Sequence, residues 1–274
     1  MKDPTEKYTE LEKFIRDKGK NGVIVAFSGG VDSSTLAAIS HTVLGEKAIA
    51  VTAQSPTYTP EELETAKTTA KEIGIKHLIV KTNELLNERY CENPENRCYY
   101  CKKELLEELR KVADKLGYGA VFEGTNFSDL SEHRPGFEAV KETKNVYSPW
   151  VETEFTKSEI RALSKKLGLS VHDRLAQPCL ATRIPYHEKI TREKLVRIAK
   201  AEKIVKELTG VNQLRVRDHN GLARIEVGKE ERKLFFKEER LDKIVESLIE
   251  LGFKYVTFDM EGYRSGSMLK TLET

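Results

Sequence analysis

Apolar positions along the chain follow two different rhythms. Up to about residue 170, short unbroken apolar runs alternate with segments of helical period. Leu11, Phe14 and Ile15 share one face of a helix over residues 8–18. Val23–Ala26 is a solid apolar run of the kind buried on both faces, and a helix follows from Asp32 to about Leu44. Ala48–Ala53 reads as a second strand, and Thr59-Pro60-Glu61-Glu62 opens a helix with proline at its first position. His77–Val80 is a third strand and Ala120–Glu123 a fourth. Between them a helix opens within residues 93–103 and carries an apolar stripe at Leu105, Leu109, Val112 and Leu116. Strand and helix in alternation predict a parallel sheet with crossover helices. Arg134-Pro135-Gly136 reads as a loop, and a helix from Lys157 runs through Leu167 to a stop at Gly168.

The last third changes pattern. Residues 171–191 lack periodicity and read as an ordered loop joining two domains; long ordered loops are usually functional. A helical stripe follows at Leu195, Ile198, Ile204, Val205 and Leu208. Residues 213–227 alternate strictly about Asn220-Gly221, a two-residue hairpin signal. That turn sets Arg215 opposite Glu226, Arg217 opposite Arg224 and His219 opposite Leu222, with Leu214, Val216, Ile225 and Val227 on the core face. A helix near 239–251 and a strand near 253–258 complete a small α+β domain. The expected fold class is therefore α/β: a doubly wound, mostly parallel sheet over residues 1–190, and a smaller α+β domain over 191–274.

Composition narrows the class. Charged residues make up 33% and hydrophobic ones 39%, which suits a soluble globular protein, and no apolar run approaches a membrane span. Residues 1–6 contain no apolar signal region, so a cytoplasmic location is expected. A net charge of only +2 argues against a large nucleic-acid footprint. Four cysteines in such a chain point to metal binding or reactivity rather than disulfides.

Three groups of residues carry chemistry. The first is Ser28-Gly29-Gly30-Val31-Asp32-Ser33-Ser34, at the joint between the first strand and its helix. Glycines there let backbone N–H groups approach a ligand, and a helix N-terminus favours an anion. Asp32 has two available roles, capping the helix or holding a metal ion. No Gly-Lys-Ser/Thr follows, which excludes the Walker loop, and no third glycine sits at dinucleotide spacing. Gly124, Asn126 and Asp129 lie past the fourth strand, at the sheet edge where open α/β folds place ligands. The second group is Cys98 and Cys101, a C-x-x-C pair on one helical face that suits zinc, iron–sulfur or redox work. Cys179, in Pro178-Cys-Leu-Ala-Thr-Arg183, is a candidate third thiolate, and Cys91 reads as packing. The third group is Arg215, Arg217 and Arg224 on one hairpin face, where opposed arginines invite an anion. Arg183 and Arg264 are candidates to join it. His133, His219 and Trp150 read as surface, loop or packing residues.

Ser28–Ser33 resembles the pyrophosphate loop of the ATP pyrophosphatase superfamily. Together with Glu123-Gly-Thr-Asn126, Lys157-Ser-Glu-Ile-Arg161, Pro178–Arg183, Leu214-Arg-Val-Arg217 and residues 262–267, the chain resembles the LarE family of ATP-dependent sulfur transferases over most of its length. The resemblance implies a small-molecule substrate, a pyridinium dicarboxylate mononucleotide. One of its carboxylates is adenylated with ATP and Mg²⁺ and then converted to a thiocarboxylate. It implies ATP at Ser28–Ser34, Gly124 and Asn126; Asp32, Cys179 and Arg183 in catalysis; and the substrate phosphate on Arg215, Arg217 and Arg264. Some members of that family sacrifice the sulfur of the cysteine matching Cys179. Others carry the extra C-x-x-C and hold a 4Fe–4S cluster, which here implies Cys98, Cys101 and Cys179 as its ligands and sulfide or another donor as the sulfur source. The expected partners are the nucleotide substrate and further copies of the chain, with no membrane and no nucleic acid. The rival readings are a tRNA thiolase, an ammonia-using amide synthetase of the same superfamily, and a nucleotide-binding sensor that releases no pyrophosphate.

Overall fold

Asp3 opens the first helix by a reciprocal capping box with Glu6, with Pro4 behind it at the position where a missing N–H costs nothing. The structure, a computed structural model, describes residues 3–131, 134–175, 178–264 and 266–272. Its elements run α1 (Pro4–Gly19), β1 (Val23–Ala26), α2 (Val31–Leu44), β2 (Ala48–Gln54), α3 (Pro60–Ile73), β3 (Lys76–Lys81), α4 (Glu88–Cys91), α5 (Arg97–Leu116), β4 (Ala120–Phe122), α6 (Pro135–Glu142), β5 (Val146–Tyr147), α7 (Pro149–Glu152), α8 (Lys157–Lys166), α9 (Arg192–Thr209), β6 (Leu214–His219), β7 (Leu222–Val227), α10 (Glu238–Glu250) and β8 (Tyr255–Phe258). By its contacts the chain divides into two units, residues 1–84 with 96–177 and residues 85–95 with 178–274.

The first unit is a five-stranded sheet in the order β3-β2-β1-β4-β5, every pair parallel. Strand side chains alternate between faces. Val23, Val25, Ala48 and Ala50 pack with Leu11, Ile15, Leu36, Ala66 and Ile160 of α1, α2, α3 and α8. Ile24, Ile49, Val51 and Val121 pack with Leu106, Leu109 and Ala113 of α5 and Ala139 and Val140 of α6. Helices cover both faces, so the sheet is doubly wound as its solid apolar strands predict. Two elements differ from the sequence expectation. Arg134-Pro135-Gly136 is the start of α6, because proline at the first helical position pre-sets the backbone. β5 has two residues, too few to show an alternation.

The second unit pairs β6 and β7 antiparallel in the expected register, Arg215 opposite Glu226 and Arg217 opposite Arg224. Asn220 and Gly221 both have positive φ, 51° and 95°, as a two-residue turn of this hand requires. β8 adds parallel to β7, so the small sheet is mixed. Leu214, Val216, Ile225 and Val227 form its core with Ala201 and Val205 of α9 and Ile244 and Leu248 of α10. Residues 85–95 belong here as well. The Asn93 side chain donates to the Pro185 carbonyl at 2.6 Å, His187 N–H donates to the Asn93 carbonyl at 3.0 Å, and Ile190 N–H donates to the Cys91 carbonyl at 2.8 Å. Contacts thus place 178–190 and 85–95 with the C-terminal elements, whereas the pattern of the sequence alone sets a boundary at 190. A loop with no periodicity is assigned by the backbone it bonds to. No described helix is long and apolar enough to cross a membrane.

Candidate active site

β1 ends at Ala26, and Phe27 still reaches back to the Val51 carbonyl at 2.9 Å. The chain then turns sharply. Gly29 has φ +71°, and a Cβ there would stand 2.8 Å from Ala66 Cα and 2.9 Å from Ala66 N, so α3 packs directly on the turn. Ser33 Oγ accepts from Ser28 N–H at 3.2 Å and donates to the Gly30 carbonyl at 3.2 Å. Ser28 Oγ lies 3.0 Å from it and accepts from Gly30 N–H at 3.3 Å. Tyr58 donates to the Ser28 carbonyl at 2.6 Å; burial, reinforced by Glu62, holds that phenol far above its ordinary pKa, so it remains a donor. The serines therefore build the loop by bonding to one another.

The start of α2, like those of α5, α6 and α10, has no side-chain cap, but it opens on a cavity. α1, α3, α8 and α9 each begin with a side-chain cap, from Asp3, Thr59, Thr156 and Thr191. α2 begins at Gly30 with no side-chain cap, which leaves its first-turn N–H groups for an anion. Ser28, Gly29, Gly30, Val31 and Asp32 line a cavity of about 210 Å³ with Tyr58, Glu62, Lys157, Arg161, Arg174 and Leu175. Ser33 is tied inward, and Ser34 is fully buried with its hydroxyl unbonded; neither lines that cavity.

Asp32 gathers the motifs. Lys157, the first residue of α8, forms an ion pair with its Oδ2. Asn126 Nδ2 lies 3.5 Å from Asp32 Oδ1 and 2.9 Å from Asp129 Oδ2, and Asp129 also takes Arg134 at 2.5 Å. Trp150, fully buried, donates from Nε1 to the Asp32 carbonyl at 3.2 Å. Burial, with the Asp129 charge added, pushes the Asp32 carboxyl above its ordinary value even against Lys157. The oxygens of Asp32 suit a hard divalent cation. Among the described residues no three His, Cys, Asp or Glu side chains gather to hold a metal, and Mg²⁺ usually takes one or two carboxylates plus substrate phosphates.

The cysteines fall in both units. Cys98, exposed, and Cys101, half-buried, occupy the first turns of α5, and the Cys101 thiol points at Glu84 Oε1, 4.0 Å away. Cys91 is buried in the second unit and donates to the Leu85 carbonyl at 3.3 Å, as packing demands. Cys179 caps the turn 180–183, and its carbonyl accepts from Thr182 N–H at 3.0 Å and Thr182 Oγ1 at 2.8 Å. Arg183 organises that turn. It binds both carboxylate oxygens of Glu202 on α9, at 2.8 and 3.1 Å, and its Nη1 donates to the Pro178 and Cys179 carbonyls and to Thr182 Oγ1.

The hairpin arginines are not a solvated face. Arg215 and Arg217 are about 95% buried, and Glu226 is fully buried between them and Arg224. Glu226 accepts from Arg217 at 2.7 Å, from Arg224 at 3.0 Å and from Ser267 Oγ at 2.8 Å. Arg217 also donates to Ser267 Oγ and to the Thr182 carbonyl, which ties the hairpin to the Cys179 turn. Arg215 lies over the Tyr263 ring at 5.3 Å; burial, then the nearby Arg183, pushes its pKa down. Arg264 pairs with Asp259 at 3.3 Å and with Glu261. Five guanidiniums (183, 215, 217, 224 and 264) are thus set against four carboxylates (202, 226, 259 and 261). The Nε atoms of Arg217, Arg224 and Arg264 are buried without a hydrogen-bond partner.

A family model described as NAD synthase matches residues 5–104. A pyridinium-3,5-bisthiocarboxylic acid mononucleotide synthase of Lactiplantibacillus plantarum is 35% identical over 91% of this chain and 90% of its own length. The chain belongs to that synthase family, the LarE family. An uncharacterized protein of Synechocystis sp. is 47% identical over 97% of this chain and 98% of its own, and another from Methanocaldococcus jannaschii is 30% identical over 95% and 98%.

LarE membership makes sense of a residue that sequence reasoning passed over. Lys157 was part of a motif but had no role; the structure puts its ammonium on Asp32, at the phosphate-loop cavity. A signal was present: a lysine at the first position of a helix opposes the helix dipole and needs a reason to be there. Gly124 lies against the same turn, where a Cβ would stand 3.3 Å from Ser33 N. His133 lies outside the described residues.

Proposed function

We propose that this chain is an ATP-dependent sulfur transferase that adenylates a carboxylate of a pyridinium dicarboxylate mononucleotide and converts it to a thiocarboxylate. The observation that carries the reading is the uncapped N-terminus of α2 at a cavity also lined by Lys157, Arg161 and Arg174, in a chain of the LarE family. The loop N–H groups and Lys157 bind ATP phosphates and stabilise charge on pyrophosphate as a substrate carboxylate oxygen attacks the α-phosphorus. Asp32 would hold Mg²⁺, which, when bound, neutralises phosphate charge. Asn126 and Gly124 shape the wall beside Asp32. A sulfur nucleophile then attacks the acyl carbon, and AMP leaves.

In the second unit, residues 191–274 supply the substrate site and the contact between copies of a homo-oligomer. Arg215, Arg217 and Arg264 take the mononucleotide phosphate, helped by Arg224; the buried Nε atoms of Arg217, Arg224 and Arg264 have no hydrogen-bond acceptor among the described residues. Arg183 acts by holding the turn that presents Cys179.

Cys98 and Cys101, thiols one helical turn apart, would be two ligands of a 4Fe–4S cluster, with Cys179 as the third. Such a cluster, when bound, supplies an iron able to carry sulfide from the donor. Anaerobic reconstitution of the four single Cys→Ala variants, with iron and sulfide analysis, tests the assignment. Loss of iron is expected for Cys98→Ala, Cys101→Ala and Cys179→Ala, and retention for Cys91→Ala. A wild type that takes up no iron, with Cys179 turned to dehydroalanine after one turnover, makes Cys179 the sacrificed sulfur instead. For the activity itself, pyrophosphate release that depends on the mononucleotide is expected, and its absence overturns the reading.

A further inference from the structure

One buried cluster has no part in the chemistry above. Glu123 follows β4, is 1% exposed, and is the most enclosed carboxylate at the strand ends of the first unit. Its Oε2 takes Lys102 Nζ at 2.7 Å and Thr125 Oγ1 at 2.7 Å; its Oε1 takes Thr125 N–H at 3.2 Å and Ser148 Oγ. Burial alone would raise its pKa, but Lys102 and the hydroxyl donors outweigh it and hold the carboxyl below the ordinary range. An ionised carboxylate this enclosed, with each oxygen accepting two hydrogen bonds, is a fixed joint.

What it joins is specific. Lys102 follows Cys101 directly in the first turns of α5, four residues after Cys98. Ser148 begins the segment after β5, next to the proline that opens α7 and to Trp150, which bonds the Asp32 carbonyl. Gly124 follows Glu123 and touches the turn of Asp32 and Ser33 so closely that a Cβ there would stand 3.3 Å from Ser33 N. The first turn of α5 contains no acidic residue of its own.

We infer that Glu123 and Lys102 are positioning residues that lock the Cys98–Cys101 turn to the phosphate loop, so that sulfur delivery stays in register with the adenylated carboxylate. The inference rests on the reading of Cys98 and Cys101 as sulfur-handling residues, but the joint itself can be examined without substrate.

Lys102→Met and the charge-matched Lys102→Met/Glu123→Gln pair are the variants, used in the full chain. Hydrogen–deuterium exchange is measured first, without substrate. The amides of residues 101–106 are expected to exchange at least ten times faster in both variants, while those of α2 stay unchanged. Equal exchange in wild type and variants overturns the joint. Pyrophosphate release and thiocarboxylate formation are then measured side by side. Pyrophosphate release within a factor of two of wild type, with thiocarboxylate per pyrophosphate falling tenfold or more in both variants, supports the inference. A merely structural role gives a different result: both steps fall together in Lys102→Met and both recover in the charge-matched pair, which overturns it. A wild type that releases no pyrophosphate defeats the functional reading separately, because the exchange measurement does not depend on it.

Discussion

The two proposed anion sites of this chain are built by opposite means. The loop after β1 offers backbone N–H groups at an uncapped helix end, with a lysine and two arginines at its rim and its serine hydroxyls spent on the loop itself. The hairpin of the second unit offers guanidiniums buried among carboxylates, with Glu226 fully enclosed. Backbone dipoles carry partial charge and need no counter-ion, so such a site can bind an anion and release it. Buried full charges need partners before any ligand arrives, and those partners keep the site in shape when it is empty. The first design suits pyrophosphate, which must leave; the second suits a phosphate that stays attached to a substrate through both steps.

Removing the buried counter-charge should break this contrast most. Glu226→Gln leaves Arg217 without a carboxylate and Arg224 with only Asp259, and a loss of about 3–5 kcal/mol in unfolding free energy is expected in a denaturant titration. No charge so enclosed exists in the loop, and a loss below about 1 kcal/mol would mean that water or an anion replaces it. Asp32→Ala is the counterpart in the first unit. Substrate-dependent pyrophosphate release should fall by about two to three orders of magnitude, as when a single transition-state group is lost, while the fold persists.

The same residue gives a stability effect of opposite sign. Burial raises the Asp32 carboxyl above its unfolded value of about 3.9. Its contribution is therefore fully present below that value and is lost as pH rises through the folded pKa. Asp32→Asn does not titrate, so its melting temperature should exceed that of wild type at neutral pH and the difference should vanish in acid, even though activity is lost. A constant difference across pH would show that Lys157 fully compensates the buried charge.

Arg217→Ala sharpens the comparison from the ligand side. One charge-assisted bond is worth about 1.5–3 kcal/mol, or roughly ten- to a hundredfold in mononucleotide affinity by calorimetry. Unlike a rim cation, Arg217 also holds Ser267 and the Thr182 carbonyl, so a fall in stability should accompany the fall in affinity. Unchanged affinity places the phosphate elsewhere. The smallest effect is expected at Gly29. Gly29→Ala puts a Cβ at positive φ, costing about 1–2 kcal/mol, and presses on Ala66. ATP affinity should weaken with that strain, and a variant that binds ATP normally would take Gly29 out of close contact with the ligand.

Much of this molecule was legible before folding. Val23–Ala26 and Ala48–Ala53 are apolar on both faces, which only a covered parallel sheet can use, and Asn220-Gly221 set the hairpin register that the structure shows. These are local properties: the period of apolar positions and the turn residues determine them without reference to distant parts of the chain. The burial of Arg215 and Arg217 was not legible, because alternation tells which face is polar but not whether a tail and a turn will cover it. The bond of Lys157 to Asp32, the grip of Arg183 on Glu202, the joint of Lys102 with Glu123, and the placement of residues 85–95 with the C-terminal elements all pair groups far apart in sequence. A charge carries no mark of its partner; only the packing of the elements decides which opposite charge it meets, and whether water is left between them.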